Sequence, residues 1–180
     1  DEDVILSTQL GKCIRFMSKK LRIFKGRSSK GIKGMELASG DKVMSLSVVD
    51  NVDIKPKTAK NLLKNGSSDK DKNSEFIAKQ KYILSITENG FGKQTKVDEF
   101  SNQRRGGKGV IAIQTSKRNG KVIGANQVQE NDEVMFISSS GNLIRTKIDS
   151  ISVIGRNTQG VKLIRLSDKD KLLLSLIHIS

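Results

Sequence analysis

DEVMFISSSGNLIRT (Asp132–Thr146) followed by IGRNTQGVKLIRLSDKDKLLL (Ile154–Leu174) decides the fold, because the same pattern opens the chain. There it reads DVILSTQLGKCIRF (Asp3–Phe16) and then KGRSSKGIKGMELASGDKVMSL (Lys25–Leu46). Gly11 and Gly141 each precede an arginine by four positions, Arg15 and Arg145, and Gly26 stands as far from Gly31 as Gly155 from Gly160. A third, more divergent copy lies between them. YILSITENGFGKQT places Gly90 at the turn, and RRGGKGV sets Arg105 and Gly109 where the other copies have Arg27 and Gly31, or Arg156 and Gly160. Self-similarity at a fixed period is the signature of an array of small structural units.

The step from Gly90 to Gly141 is 51 residues and that from Gly11 to Gly90 is 79, so an insertion separates the first two copies. Residues 51–80 fit it: 30 residues rich in Lys, Asn, Ser and Asp, holding Pro56, the only proline, and returning the period to 49 when removed. Its middle, GSSDKDKNS, reads as solvated and disordered, with one or two helical turns possible over Thr58–Lys64 before Gly66. The sequence thus divides into repeats at 1–50, 81–131 and 132–180, with the lysine-rich insertion at 51–80. The loosely matching LLLSLIHIS makes the end of the last repeat irregular.

Within each repeat, runs rich in Val, Ile, Leu and Phe, such as Val4–Ser7, Tyr82–Thr87 and Val134–Ser138, end at polar glycine turns, the pattern of β-hairpins. A second run follows each turn, then a glycine-flanked loop. Next come Ile32–Leu37, Val110–Gln114 or Val161–Leu166, and a last apolar strand. About four strands per ~50 residues predicts an all-β, propeller-like array of three four-stranded blades. The absence of tryptophan argues against blades of the WD type.

The chain of 180 residues carries 33 Lys and Arg against 19 Asp and Glu, a formal charge of +14. The insertion accounts for +3 of this, leaving +11 on the repeats, so the basic character belongs to the folded part. Such a surplus favours polyanionic partners, nucleic acid first, through steering and counterion release. Stacking aromatics are scarce, with six Phe and one Tyr, which disfavours an RNA-binding module. A basic scaffold for acidic proteins is the reading of a different class.

Catalytic and metal chemistry lack parts. Cys13, the only cysteine, sits among apolar strand residues and reads as a core thiol, so no disulfide framework or multi-cysteine zinc site can form, as expected in the cytoplasm. His178 is the only histidine and has no companion ligands, so neither a metal site nor a Ser-His-Asp arrangement assembles. Tyr82 lies in an apolar strand, a poor setting for a nucleophile. Neither GGKG nor GFGKQT matches GxxxxGK[ST], so no P-loop is present. No apolar run reaches the ~18 residues of a membrane span, and no membrane partner is expected.

QRRGGKG (Gln103–Gly109) concentrates the basic character. Arg104, Arg105 and Lys108 can pair with phosphate oxygens, while Gly106, Gly107 and Gly109 let backbone N–H groups approach a polyanion. By repeat equivalence Arg27 with Lys30, and Arg156 with Gln159, occupy the same corner of adjacent blades. Arg15 and Arg145, beside the hairpin turns, complete the candidate DNA-binding set.

TENGFGKQT, QRRGGKGVI, RNGKVIGANQV, LIRTKIDSISVIGRNTQGVKLIRL and GKCIRF with GIKGMELASGDKV together resemble the C-terminal domain of DNA gyrase A, over almost the whole chain outside the insertion and the last residues. QRRGGKG is similar to that family's gyrase box. The resemblance implies a β-pinwheel whose blades exchange strands and whose basic outer rim bends double-stranded DNA; three blades are fewer than that family's complete pinwheel, so the chain is expected to be part of a larger pinwheel, the C-terminal part of a longer subunit. It also implies a non-catalytic role: the chain would serve negative supercoiling by a heterotetramer of gyrase A and gyrase B, with ATP and magnesium used elsewhere in it and no cofactor in this chain. Localisation would be cytoplasmic, on the nucleoid. The box usually marks the first blade of that family, whereas here it stands in the middle repeat. The corresponding domain of topoisomerase IV, with a degraded box, is the near alternative.

Overall fold

The computed structural model describes residues 2–50, 81–167 and 169–178; the insertion at 51–80 and the last two residues lie outside them. Each repeat begins with an antiparallel hairpin: β1 (Glu2–Thr8) with β2 (Lys12–Met17), β4 (Tyr82–Thr87) with β5 (Phe91–Lys96), and β8 (Glu133–Ser138) with β9 (Leu143–Lys147). The turns are built alike. Gly11, Gly90 and Gly141 take φ of 81°, 79° and 84°, and each donates its N–H over 3.0 Å to the carbonyl three residues back, Thr8, Thr87 or Ser138. Equal turns give equal register, so Ile5 faces Arg15, Leu84 faces Gln94 and Met135 faces Arg145. A turn of 3-10 helix closes each hairpin, at Ser18–Lys20, Val97–Glu99 and Ile148–Ser150.

A third strand returns beside the first in every repeat: β3 (Val43–Asp50) on β1, β7 (Val122–Val128) on β4, and β11 (Leu172–His178) on β8. The fourth comes from the next repeat. β6 (Val110–Ile111) adds to β2 and β10 (Val161–Lys162) adds to β5, giving sheets ordered β3-β1-β2-β6, β10-β5-β4-β7 and β11-β8-β9. The third sheet holds three strands among the described residues. The expected strand at Ile32–Leu37 is not formed. Its equivalents, expected over Val110–Gln114 and Val161–Leu166, pair over only two residues each. Such a segment is a strand only where a neighbouring hairpin edge accepts it, and residues 32–37 have no such edge in the described chain.

β3 packs on β7 and β7 on β11, so these strands form the inner side of the array, and β6 and β10 lie at its outer edge. The core is split between the blades. Ile5, Cys13, Val49, Ile83, Phe100 and Ile113 fill the first interface, and Leu84, Ile86, Val134, Phe136, Ile148 and Leu172 the second. Central strands buried on both faces explain why β1 and β4 read as nearly continuous apolar runs rather than as strict alternation. Among the described residues no helix is long and apolar enough to cross a membrane.

Candidate nucleic-acid interface

The loop before each donated strand forms a corner at the outer edge. In the second repeat, Gln103 donates its N–H to the Arg15 carbonyl (2.8 Å), and seven and eight residues later Val110 and Ile111 pair with Cys13 and Lys12. In the third, Ile154 donates to the Gln94 carbonyl (2.8 Å), and Val161 and Lys162 pair with Gly92 and Phe91. Both ends being fixed to one strand, the residues between must bulge away from the sheet. The last residue of the bulge lies against the receiving backbone: a Cβ on Gly109 (φ 68°) would stand 2.4 Å from the Cys13 carbonyl oxygen, which only glycine avoids.

Arg104, Arg105 and Lys108 are exposed on this bulge, with Gln103 half-buried beside them. Arg105 donates to the Lys33 carbonyl (3.1 Å), Gly106 N–H to the Gly34 carbonyl (2.6 Å), and Glu36 N–H to the Gly107 carbonyl (2.9 Å). These bonds tie the first corner, where Arg27 and Lys30 are exposed, to the second. The tie recurs one repeat on, where Gln114 N–H donates to the Thr158 carbonyl (2.9 Å). Buried Asn119 reinforces it by donating to the Gln114 and Gln159 carbonyls (2.7 and 3.1 Å). Arg27 with Lys30, Arg104 with Arg105 and Lys108, and Arg156 therefore stand on three consecutive corners joined by backbone hydrogen bonds. Arg156 is half-buried and donates to the Ile111 carbonyl (3.2 Å).

Arg15 and Arg145 do not belong to this set. Arg15 is 7% exposed; its Nε donates to Asp3 (2.8 Å), and its Nη1 crosses to the second repeat, donating to the Val97 and Phe100 carbonyls (3.1 and 3.3 Å). It joins two blades and cannot reach a phosphate. Gln94 does the same one blade on, donating to the Ile148 and Ile151 carbonyls (2.9 and 2.8 Å). Arg145, at the third such position, is paired with Glu133 at the end of the array.

Sequence reading missed two features of the site. Lys93 of GFGKQT is fully buried, and its Nζ donates to the Gly155 carbonyl (2.6 Å), the Arg156 carbonyl (2.5 Å) and Thr158 Oγ1 (3.0 Å), so it props up the third corner from beneath. Burial pushes the ammonium down to about 8, with the Glu99 carboxylate opposing and Arg156 reinforcing the shift. Three oxygen acceptors nevertheless keep it a cation at neutral pH. The second feature is the loop Ser116–Gly120, which exposes Lys117 and Arg118 next to the third corner; the Arg118 guanidinium lies over the Phe91 ring, 4.9 Å from its centroid. Lysines at equivalent returns, Lys42, Lys121 and Lys171, were legible only by aligning the repeats; their carbonyls accept from Gln9, Glu88 and Ser139.

Lys93→Met is expected to change global stability by less than about 2 kcal/mol, because lost charged hydrogen bonds and relief of a buried charge oppose each other. Locally it should free the corner, seen as faster amide exchange at Thr158. The Lys93 value in the fold, about 8, lies below the ordinary 10.5, so the unfolded chain holds more protons between them and wild-type stability gains with rising pH across that window. The variant should lose that contribution in urea titrations; an unchanged difference between the two pH values would contradict it.

Sheets whose outer strand is donated by the next repeat, with three basic corners in sequence along the outer edge, define a β-propeller-type array in which a basic rim is built by repetition. The chain belongs to the family described as DNA gyrase C-terminal domain, beta-propeller, whose model matches residues 2–50, 81–129 and 132–174. It is 38% identical over 178 residues to the DNA gyrase A protein of Pseudomonas aeruginosa, covering 99% of this chain and 16% of that protein. To the gyrase A protein of Rickettsia prowazekii it is 36% identical over 192 residues, covering 96% of the chain and 21% of the relative. The chain thus spans about a sixth to a fifth of the length of the relatives it matches. A solved DNA gyrase A C-terminal domain superposes with a TM-score of 0.75 at 26% identity, over 99% of this chain and 51% of that one. The C-terminal domain of DNA topoisomerase IV gives the same TM-score at 20% identity and shares the fold.

Proposed function

We propose that the chain is a non-catalytic DNA-binding and DNA-bending element of a type II topoisomerase, acting along the corner track Arg27, Lys30, Gln103–Gly109 and Arg156. The observation that carries this reading is the hydrogen-bonded succession of three corners with cations on one edge, exposed on the first two and half-buried on the third. Contacts of this kind, Arg and Lys with glycine-flanked N–H groups, suit phosphates rather than base edges. Smooth bending of a short duplex costs roughly 1–6 kcal/mol, which a single corner cannot offset and a series can. Within a whole gyrase, the bent duplex would be presented to a breakage domain of gyrase A, with gyrase B supplying ATP hydrolysis in a heterotetramer. ATP and magnesium would be held outside this chain, and the protein would act in the cytoplasm, on the nucleoid.

Binding to duplexes of increasing length separates this role from a scaffold for acidic proteins. Affinity per molecule should rise until the duplex spans all three corners, and an acidic peptide of equal charge should compete poorly. Equal binding of peptide and duplex would overturn the reading, and so would a clear preference for single-stranded RNA.

A further inference from the structure

The second and third corners are equivalent in geometry but not in charge. The bonds from Glu36 N–H to the Gly107 carbonyl and from Gln114 N–H to the Thr158 carbonyl bring them into register, so Arg104, Arg105 and Lys108 correspond to Gly155, Arg156 and Gln159. Of three cations the third corner keeps Arg156, which is half-buried and gives an N–H to the Ile111 carbonyl. The loop that meets each corner differs in the opposite sense. Beside the second corner runs ASGD, residues 38–41, without a cation. Beside the third runs SKRNG, residues 116–120, one residue longer and with Lys117 and Arg118 exposed.

The SKRNG loop is fixed from three directions. Its own Asn119 is fully buried; the side chain accepts from Ser116 N–H (2.8 Å) and donates to the Gln114 and Gln159 carbonyls (2.7 and 3.1 Å). From the neighbouring hairpin turn, Asn89 Nδ2 donates to the Lys117 and Arg118 carbonyls (3.3 and 3.1 Å). From the third corner, Asn157 Oδ1 accepts from Gln114 Nε2 (2.9 Å). The Arg118 guanidinium is seated over the Phe91 ring, with Lys162 Nζ 5.7 Å from the same centroid, and stacking leaves its N–H edge free to donate. Neither Lys117 nor Arg118 pairs with a carboxylate among the described residues. The carboxylate of nearby Glu88 is engaged by Lys121 N–H (3.2 Å) and Lys171 Nζ (3.0 Å).

Given the DNA-binding role of the corner track, on which this rests, we propose that Lys117 and Arg118 are the principal phosphate contacts at the third corner. They take the place of the cations absent at Gly155 and Gln159. The loop stands against the hairpin turn at residues 88–90, so the contact line is displaced there toward the turn end of the blades. A stacked guanidinium on a fixed backbone loses little freedom on meeting a phosphate, which favours this loop over the mobile side chain of an ordinary surface lysine. The cation-free ASGD loop beside the second corner makes no such contact, because Arg104, Arg105 and Lys108 already supply it.

Duplex binding by the 180-residue chain as a function of salt tests this. Lys117→Ala with Arg118→Ala should reduce the salt slope by up to about 1.8, about 0.9 for each lost phosphate contact. Both side chains are exposed, so folding is retained, as unchanged circular dichroism should show. Lys19→Ala with Lys20→Ala removes the same charge at the 3-10 end of the first hairpin and should leave the slope nearly unchanged. A photoactivatable label at position 117 should capture the duplex, and one at Ser39 in the ASGD loop should not. A wild-type slope in the loop variant, while alanine at 104, 105 and 108 lowers it, would overturn this proposal and leave the corner track standing. A wild-type slope in both variants would overturn the two together. Equal losses from positions 19 and 20, or equal capture from position 39, would reduce the loop to its net charge and overturn the proposal.

Discussion

Arg15→Ala is expected to destabilise the chain by about 3–5 kcal/mol, the cost of leaving one partner of a buried ion pair uncompensated. Asp3 is fully buried, and one of its oxygens, Oδ1, already has no hydrogen-bond partner. The other accepts from Arg15 Nε and from Asn102 Nδ2 (2.8 and 3.2 Å). Alanine would leave that carboxylate with one weak donor and orphan the Val97 and Phe100 carbonyls that Arg15 serves across the blade interface. Gln94 shows how the same position works without charge, so Arg15→Gln combined with Asp3→Asn should recover most of the loss, to within about 1 kcal/mol. Urea midpoints of the three variants decide it. Full stability in Arg15→Ala together with weakened DNA binding would restore Arg15 to the phosphate contacts.

The second large effect concerns binding. Replacing Arg104, Arg105 and Lys108 together by alanine should reduce the salt dependence of duplex affinity by about 0.9 per lost phosphate contact, hence by up to about 2.7 in slope. The loss should be nearly the same for unrelated base sequences, because backbone contacts position rather than specify. Arg145→Ala removes as much charge per residue yet should leave the slope unchanged, since its guanidinium is committed to Glu133. A uniform charge effect, with Arg145→Ala as costly as Arg104→Ala, would show that net charge and not the corner governs affinity.

The hairpins were legible because each carries its own instructions: an apolar run, a turn ending in glycine, and a second run, all within 16 residues. The donated strands were not, since Val110–Ile111 and Val161–Lys162 become strands through an edge roughly 70–100 residues away or in another repeat, and a two-residue pairing leaves no periodic trace. Ile32–Leu37 carries the same sequence pattern and forms no strand. At the site, glycine spacing identified the corners correctly as equivalent positions, but an arginine recurring beside a turn looks the same whether it faces solvent or a neighbouring blade. The warning lay in Gln94: a phosphate-contact position would not be neutral in the very repeat that carries QRRGGKG. Lys93 escaped notice for the opposite reason, because a lysine in a strand between polar neighbours reads as solvated, and only the overlying loop reveals it as buried.

Cross-linking from single positions on the rim tests the track most directly. Cys13 is buried, and burial pushes its thiol up to about 12, so it should remain unreactive while engineered cysteines are labelled. Photoactivatable labels at positions 27, 105 and 156 should each capture the same duplex, at successive places along its length, whereas a label at Leu46 on the inner strand should capture none. Capture from Leu46 as efficient as from the corners, or capture at position 105 alone, would contradict a DNA path that runs from corner to corner.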